Sequence, residues 1–303
     1  MIEVSGMMTG FAEAAVRIAT PLALAALGET VAERSGVINL GIEGSMLAGA
    51  LASAIVATGG GPVAGLLASA MAGLLLALLF AAVAIGAHGN QIITGTAITL
   101  LASGVTGTAY RRVFGNAGVA LTTPTLRPVR IPLLADLPVL GAAFFNQPVT
   151  TYLVYGLIPL LWVLLYRTRW GLGLRAAGES ADAARAQGVA IGRTRVMAAG
   201  IGGVLAGLGG GALVLAQVGT FAEQMTAGRG FIAIAIVVLG AWHPVRVAAA
   251  ALLFGAASAL QFLFQSLGFP VPYQLFLMLP YILALAALAG RIGRVRSPAA
   301  LGK

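Results

Sequence analysis

Residues 33–50 read ERSGVINLGIEGSMLAGA, a stretch that holds Asn39, Glu43 and four glycines at the head of a long apolar run. Asn39 and Glu43 would each cost several kcal/mol if left unpaired in hydrocarbon. The stretch therefore reads as protein interior at membrane depth. Its glycines permit close backbone approach or a broken helix, and its polar groups face inward. Composition agrees: hydrophobic residues make up 59% of the 303, charged residues 9%, and mean hydropathy is +0.97. A soluble domain carries roughly 25% charged residues. The chain is expected to be an all-α polytopic membrane protein.

Several chemistries are excluded at once. Cysteine is absent, so no disulfide, thiolate metal site or thiol nucleophile exists. The sole lysine is the last residue, Lys303, which rules out a GxxxxGK phosphate loop; any ATP and Mg belong to a partner. His88 and His243 have no acidic neighbour in sequence, so no metal site of the HExxH type is expected, and no catalytic constellation is visible. The net charge of +9 sits on arginines between apolar runs, which suits membrane topology and not nucleic acid. The opening residues, MIEVSGMMTGFAEAA, are acidic where a cleavable signal would be basic.

With about 20 apolar residues needed per crossing, nine spans are expected, at roughly 11–32, 36–58, 62–87, 90–110, 148–166, 196–218, 229–242, 245–267 and 272–290. The seventh is short. It is counted as a crossing because the arginine-rich loop 167–195 and the C-terminal tail should both be cytoplasmic. The N-terminus then lies outside, and twelve of the eighteen Lys and Arg lie inside. The Pro-rich loop 111–147 lies outside, extended or in short turns, although it carries four arginines. Within the first span, Glu13 and Arg17 are one turn apart and can satisfy each other.

A weak repeat runs through the layout. SGVINLGI (35–42) resembles RGFIAIAI (229–236), and NQIITGTAITLLASGVTG (90–107) resembles YQLFLMLPYILALAALAG (273–290), in the same order. The charge-derived topology runs the members of each pair in opposite directions, the signature of inverted-topology repeats. One transmembrane domain, 1–303, thus contains a first repeat at about 36–110, a cytoplasmic loop 167–195 and a second repeat at about 229–290. Short or broken helices at 36–45 and 229–240 mark the candidate pathway. Asn39, Glu43, Gln91 and Thr94 would approach it from one half, and Phe231, Gln274 and Phe276 from the other. Glu43 reads as the acid deepest in a span. It serves either as an ion-coupling site or, near an interface, as a partner of Arg34 or a backbone cap.

In the loop, Ser180 is an N-cap, Asp182 suits a first turn and Gly188 is a helix stop, which predicts a short helix over SADAARAQ. It lacks the bulky face of a membrane-lying helix. It is either a docking element for a soluble partner or an ordinary loop helix.

Together, TPLALAALGETVAERSGVINLGIEGSMLAGA, NQIITGTAITLL, GLGLRAAGESADAARAQGVAIGRTRVMAAGIGGVLAGLGG and GRGFIAIAIVVLGAWHP resemble the permease subunits of bacterial ABC importers. The group serves sugars and branched-chain amino acids. The SGVINLGIEG wording is most similar to the branch importing nucleosides through a basic-membrane-protein-type binding lipoprotein. The resemblance implies a multi-pass protein of the bacterial inner membrane, not an enzyme. It implies a coupling helix at Gly178–Gly188 that includes Glu179, Ser180, Ala183 and Ala184. As partners it implies ATP-binding cassette ATPase subunits, a second and different permease, and an extracytoplasmic receptor. The competing readings are a sugar or amino-acid permease of the same group, an ion-coupled secondary transporter using Glu43, and a membrane scaffold.

Overall fold

The computed structural model describes residues 2–114, 123–135, 137, 140–266 and 297–302, with single positions at 278, 281, 282, 285 and 289. Ten helices are described: α1 (Ile2–Arg34), α2 (Ile42–Ala81), α3 (Gln91–Phe114), α4 (Leu140–Phe145), α5 (Val149–Arg167), α6 (Arg169–Glu179), α7 (Ala181–Ala186), α8 (Ile191–Leu213), α9 (Arg229–Leu239) and α10 (Pro244–Ser266). Short π-helical turns extend α2 (Ala82–Gly86) and α8 (Val214–Val218). Among the described residues, six helical stretches are long and apolar enough to cross a membrane. They begin at Gly6, Ile42, Gln91, Val149, Ile191 and Pro244.

The stretch from Ile42 to Gly86 is 45 residues long, but it is not one rod. Gly61 is non-helical, with φ +78° and ψ 172°, and Pro62 restarts the helix. Just beyond, Gly65 lies against the Ser53 carbonyl oxygen. A continuous helix would separate residues twelve apart by about 18 Å, so the chain doubles back at Gly61. Its two limbs coincide with the expected spans 36–58 and 62–87, although the first begins only at Ile42. The expected span 272–290 lies outside the described residues, and so does the 273–290 member of the repeat.

α8 is the packing centre. Its glycines let three helical limbs approach to backbone distance. A β-carbon on Gly210 would overlap the Met46 carbonyl in the first limb of α2. One on Gly207 would overlap the Ser69 carbonyl in the second limb, and Gly28 of α1 lies against Gly202. Such contact replaces the apolar driving force that lipid-embedded helices lack. The larger apolar core gathers where α1, α5, α8, α9 and α10 meet, around Leu24, Leu27, Leu165, Leu205, Ile236 and Phe254.

Both ends of the bundle are identifiable. At one, Ala300 N–H donates to Gly178 O (2.8 Å), Gly302 N–H to Gly36 O (3.0 Å) and Arg195 Nε to Ser35 O (3.3 Å). This is the end that carries the arginine-rich loop 167–195. At the other, Thr123 N–H donates to Gly219 O (2.9 Å) and Leu126 N–H to Leu215 O (2.8 Å). There the Pro-rich segment lies over the helix ends, with a two-residue antiparallel ribbon pairing Val129 with Gln147 and Arg130 with Asn146. Glu13 and Arg17 form the expected ion pair in α1.

The seventh expected span differs from its sequence reading. α9 has 11 residues, about 16 Å of helix, against roughly 30 Å of hydrocarbon. Non-helical residues 219–228 precede it, with Gly219 at the end of the bundle that carries Thr123 and Trp242 at the other, against Arg34. The matched octapeptides also differ in conformation. Residues 35–41 are non-helical, with turns at 35–36 and 40–41, whereas 229–236 are helical.

Two outcomes test this architecture. Gly207→Val should destabilise the protein by about 1–3 kcal/mol through overpacking, and Gly104→Ala, with open space at its β-carbon, should not; thermal denaturation in detergent reads both. A single cysteine at Ala183 should label with a membrane-impermeant thiol reagent in inside-out vesicles and not in intact cells.

Candidate functional site

The non-helical, mostly buried segment 35–41 carries backbone N–H and C=O groups that cannot all be satisfied within a helix. Ser35, Gly36 and Val37 N–H return to carbonyls at the end of α1, and the next N–H groups take side-chain acceptors. Ile38 N–H donates to Gln91 Oε1 (2.8 Å), Asn39 N–H to Glu29 Oε1 (2.9 Å) and Gly41 N–H to Asn39 Oδ1 (2.9 Å). Thr99 Oγ1 donates to Leu40 O (3.0 Å). Gly95 allows α3 to lie directly on Leu40 and Gly41.

Glu43 closes the neighbouring break. Its carboxylate accepts from Gly228 N–H (2.9 Å, Oε1) and Gly230 N–H (2.6 Å, Oε2) at the start of α9. A helix leaves its first four N–H groups unpartnered and its N-terminus partly positive, and Glu43 answers both. Gly230 is required there, because a β-carbon would press on the backbone of Glu43. The N-terminal turns of α2 and α9 therefore meet tip to tip. Beside them the Arg229 guanidinium turns back to Met225 O (2.7 Å) and Thr226 O (3.2 Å). Arg34 is committed elsewhere, donating to Trp242 O (3.0 Å) and Tyr166 Oη (3.2 Å).

Asn39, Glu43, Gln91 and Thr94 are all buried, 2%, 7%, 7% and 9% exposed; Asn39 and Gln91 stand at the break 35–41 and Glu43 at the neighbouring start of α9. The acceptor oxygens named above, on Asn39, Gln91 and Glu43, are occupied by backbone N–H groups. Phe231, next to Gly230, is 44% exposed and is the aromatic ring presented at the tip of α9. Gln274 and Phe276 lie outside the described residues. Among the described residues no three His, Cys, Asp or Glu cluster as a metal site would require.

Sequence reading missed two acids. Glu29 and Glu33 are 1% and 2% exposed, more buried than Glu43. Glu29 holds Asn39, and Glu33 accepts from the Trp242 indole N–H at the far end of α9. The signal was available: carboxylates four apart share one face of a helix, and acids inside an apolar span call for a named partner.

At the arginine-rich end of the bundle, α7 is capped as its residues predict. Ser180 Oγ accepts from Ala183 N–H (3.4 Å), and Gly188 ends the helix at φ +82°. Two of the residues assigned to docking face inward instead. Ala184 is 3% exposed and packs on Ala177 and Ile191. Gly178 is buried, its α-carbon pressed against the Arg34 carbonyl. The outward face is made by Glu179, Ser180, Asp182, Ala183, Ala186 and Gln187. It borders a groove between α6 and α7 that Leu172, Ala176 and Ala183 help to line.

Residues 11–288 match the family described as branched-chain amino acid transport system, permease component. This chain belongs to that family. It is a multi-pass cell-membrane protein and the transport component of an ABC system, not an enzyme. It is 38% identical over 294 residues to the guanosine ABC transporter permease protein NupQ of Bacillus subtilis, covering 94% of this chain and 92% of the relative. Identity to the nucleoside ABC transporter permease protein NupC of Lactococcus lactis is 31% over 293 residues, 93% and 92% of the two chains. A putative glucose ABC transporter permease protein of Haloferax volcanii, TsgC13, is 40% identical over 263 residues, 85% and 78% of the two chains. No solved structure matches.

In this permease, Glu43→Ala should leave the buried Gly230 N–H and the half-buried Gly228 N–H without an acceptor and destabilise by about 1–3 kcal/mol for the buried one. Glu43→Gln, which keeps one acceptor oxygen, should lose less. Thermal denaturation at neutral pH separates them, and equal losses would remove the capping account.

Proposed function

We propose that this chain is one of two permease subunits of an ATP-driven importer that carries a nucleoside, purine or broad in range, into the cytoplasm. The observation that carries the reading is the match along more than nine-tenths of both chains to permeases named for guanosine and for nucleosides. The glucose permease is as similar over the aligned part but covers less of either chain. In this reading a soluble ATPase, which supplies ATP and Mg, docks on the outward face of α7. A paralogous permease completes the pathway, and an extracytoplasmic binding protein delivers the solute. The transmembrane domain spans 1–303 and crosses nine times, the seventh crossing made by 219–228 with α9 and the ninth by 272–290.

The pathway runs past the tip-to-tip contact of α2 and α9, the meeting point of two inverted repeats. Phe231 offers an aromatic face to a base, Phe276 a second, and Gln274 hydrogen-bonding capacity for hydroxyls. Asn39, Gln91, Thr94 and Glu43 act mainly by holding the break open. A receptor-fed channel needs weak binding, so each polar contact contributes on the order of 1 kcal/mol.

Deleting the gene from its native strain should abolish energy-dependent uptake of radiolabelled guanosine and adenosine while leaving glucose uptake unchanged; the reverse pattern would assign the permease to sugars. In the complemented strain, Ala183→Trp on the exposed face of α7 should cut nucleoside uptake by roughly tenfold or more, about the loss of a single interface anchor. The amount of permease in the membrane should stay the same. Uptake unchanged in that variant would remove α7 as the docking element.

A further inference from the structure

Residues 297–302 lie across the arginine-rich end of the bundle. Leu301 N–H donates to Pro298 O (3.1 Å), which closes a turn. Pro298 and Ala300 are buried, and Leu301 packs against the larger apolar core. Two further hydrogen bonds leave this turn for different elements. Ala300 N–H donates to Gly178 O (2.8 Å), and Gly302 N–H donates to Gly36 O (3.0 Å). Both acceptors are carbonyls that helix geometry leaves open: Gly178 lies in the last turn of α6, and Gly36 stands just past the end of α1. The fit is close. A β-carbon on Gly36 would lie 3.1 Å from Ala300 O and 3.0 Å from an Arg195 guanidinium nitrogen.

The bridge joins the two parts of the permease that coupling has to connect. On one side, Gly178 is two residues from Ser180, the cap of α7. On the other, Gly36 opens the break 35–41, whose Ile38 and Asn39 N–H groups are held by Gln91 and Glu29. The same two parts also touch directly, with Gly178 on the Arg34 carbonyl. Packing of that kind resists a push far better than a pull, because dispersion attraction between single atom pairs is small. A hydrogen-bonded bridge resists both. α8 supplies a second link, with Ile191 against Ala184 and Arg195 Nε donating to Ser35 O (3.3 Å). The two links end on neighbouring residues, 35 and 36. Together they fix how α6–α7 sits on the break, where either alone would leave a pivot.

We propose that residues 298–302 are a transmission brace, which makes α6–α7 and the start of the break move as one body. A displacement imposed on α7 by the ATPase then reaches the pathway. Ala300 and Gly302 are its positioning residues. This rests on the reading of α7 as the docking element.

The test uses the complete importer, purified through the permease and reconstituted in proteoliposomes, with ATP hydrolysis and uptake measured together. The solute is guanosine, or glucose should the deletion strain lose that uptake instead. Two variants dislodge the brace. One is a chain ending at Ser297; the other is Gly302→Val, which keeps every other residue but cannot hold φ +77° without strain. Both should retain the ATPase and reach the membrane in wild-type amounts, and hydrolysis should continue. Uptake per ATP hydrolysed should fall by roughly fivefold or more, the low end of a typical coupling between sites. Ala299→Ser, at an exposed position of the same turn, should couple as the wild type does. A segment that merely stabilises the fold would instead lower membrane content, bound ATPase and uptake in parallel. That result would overturn the proposal, as would unchanged uptake per ATP in either tail variant. Ala183→Trp tests the premise separately. An ATPase that stays bound and coupled in that variant removes docking at α7, whereas an ATPase lost there, with the tail variants coupling normally, removes the brace alone.

Discussion

The structure depends on one constraint: backbone exposed at membrane depth must find partners in the protein, because the bilayer offers none. The chain breaks its helices near the candidate pathway, and each break is answered by a side chain from a distant element. Glu43 caps α9 across 185 residues of sequence, and Gln91 reaches Ile38 across 53. Glu29 holds Asn39 from the preceding helix. A buried carboxylate is normally a liability. Here each of these acids accepts N–H donors that would otherwise stand unpaired, so removing either partner is costlier than having both.

The same acids tie the breaks to one helix. Glu29, Glu33 and Arg34 all lie in the last two turns of α1. Through Asn39 and Trp242 they grip the segment 35–41 on one side and the end of α9 on the other. The two discontinuous elements therefore share an anchor at α1 and meet again at Glu43 and Gly230. A shift of either would have to be felt by the other. Around this frame the glycines of α8 admit the two limbs of α2 and α1 to backbone contact, which fixes where those elements stand.

The outward face of α7 is built on a different principle. α7 has six residues, too few to be stable alone, and it is held by its Ser180 cap, by Ala184 against Ala177 and Ile191, and by the tail at Gly178. Packing uses the inward alanine and leaves Ala183, Ala186 and Gln187 free. Because the tail, the start of the segment 35–41 and Arg195 are joined at the same end, a force on α7 has a short route to that break.

Much of this was written locally in the residues. Composition alone placed the chain in a membrane, apolar run lengths marked the six described stretches long enough to cross it, and Ser180 and Gly188 marked both ends of α7. Such features depend on residues within a turn or two, where spacing is geometry. What the chain order could not carry was which polar group meets which. Glu33 pairs with Trp242 from 209 residues away, and Glu43 turns to the N-terminus of α9 and not to the nearer Arg34. The octapeptides 35–42 and 229–236 look alike yet differ in conformation, because their surroundings and not their residues decide whether backbone bonds close within the segment. Ala184 reads as surface in a run of alanines, and it was buried by the packing of α7 on its neighbours. Local pattern determined where the helices run, while partner choice awaited the packed bundle, since desolvation leaves each buried polar group only the partners that packing delivers.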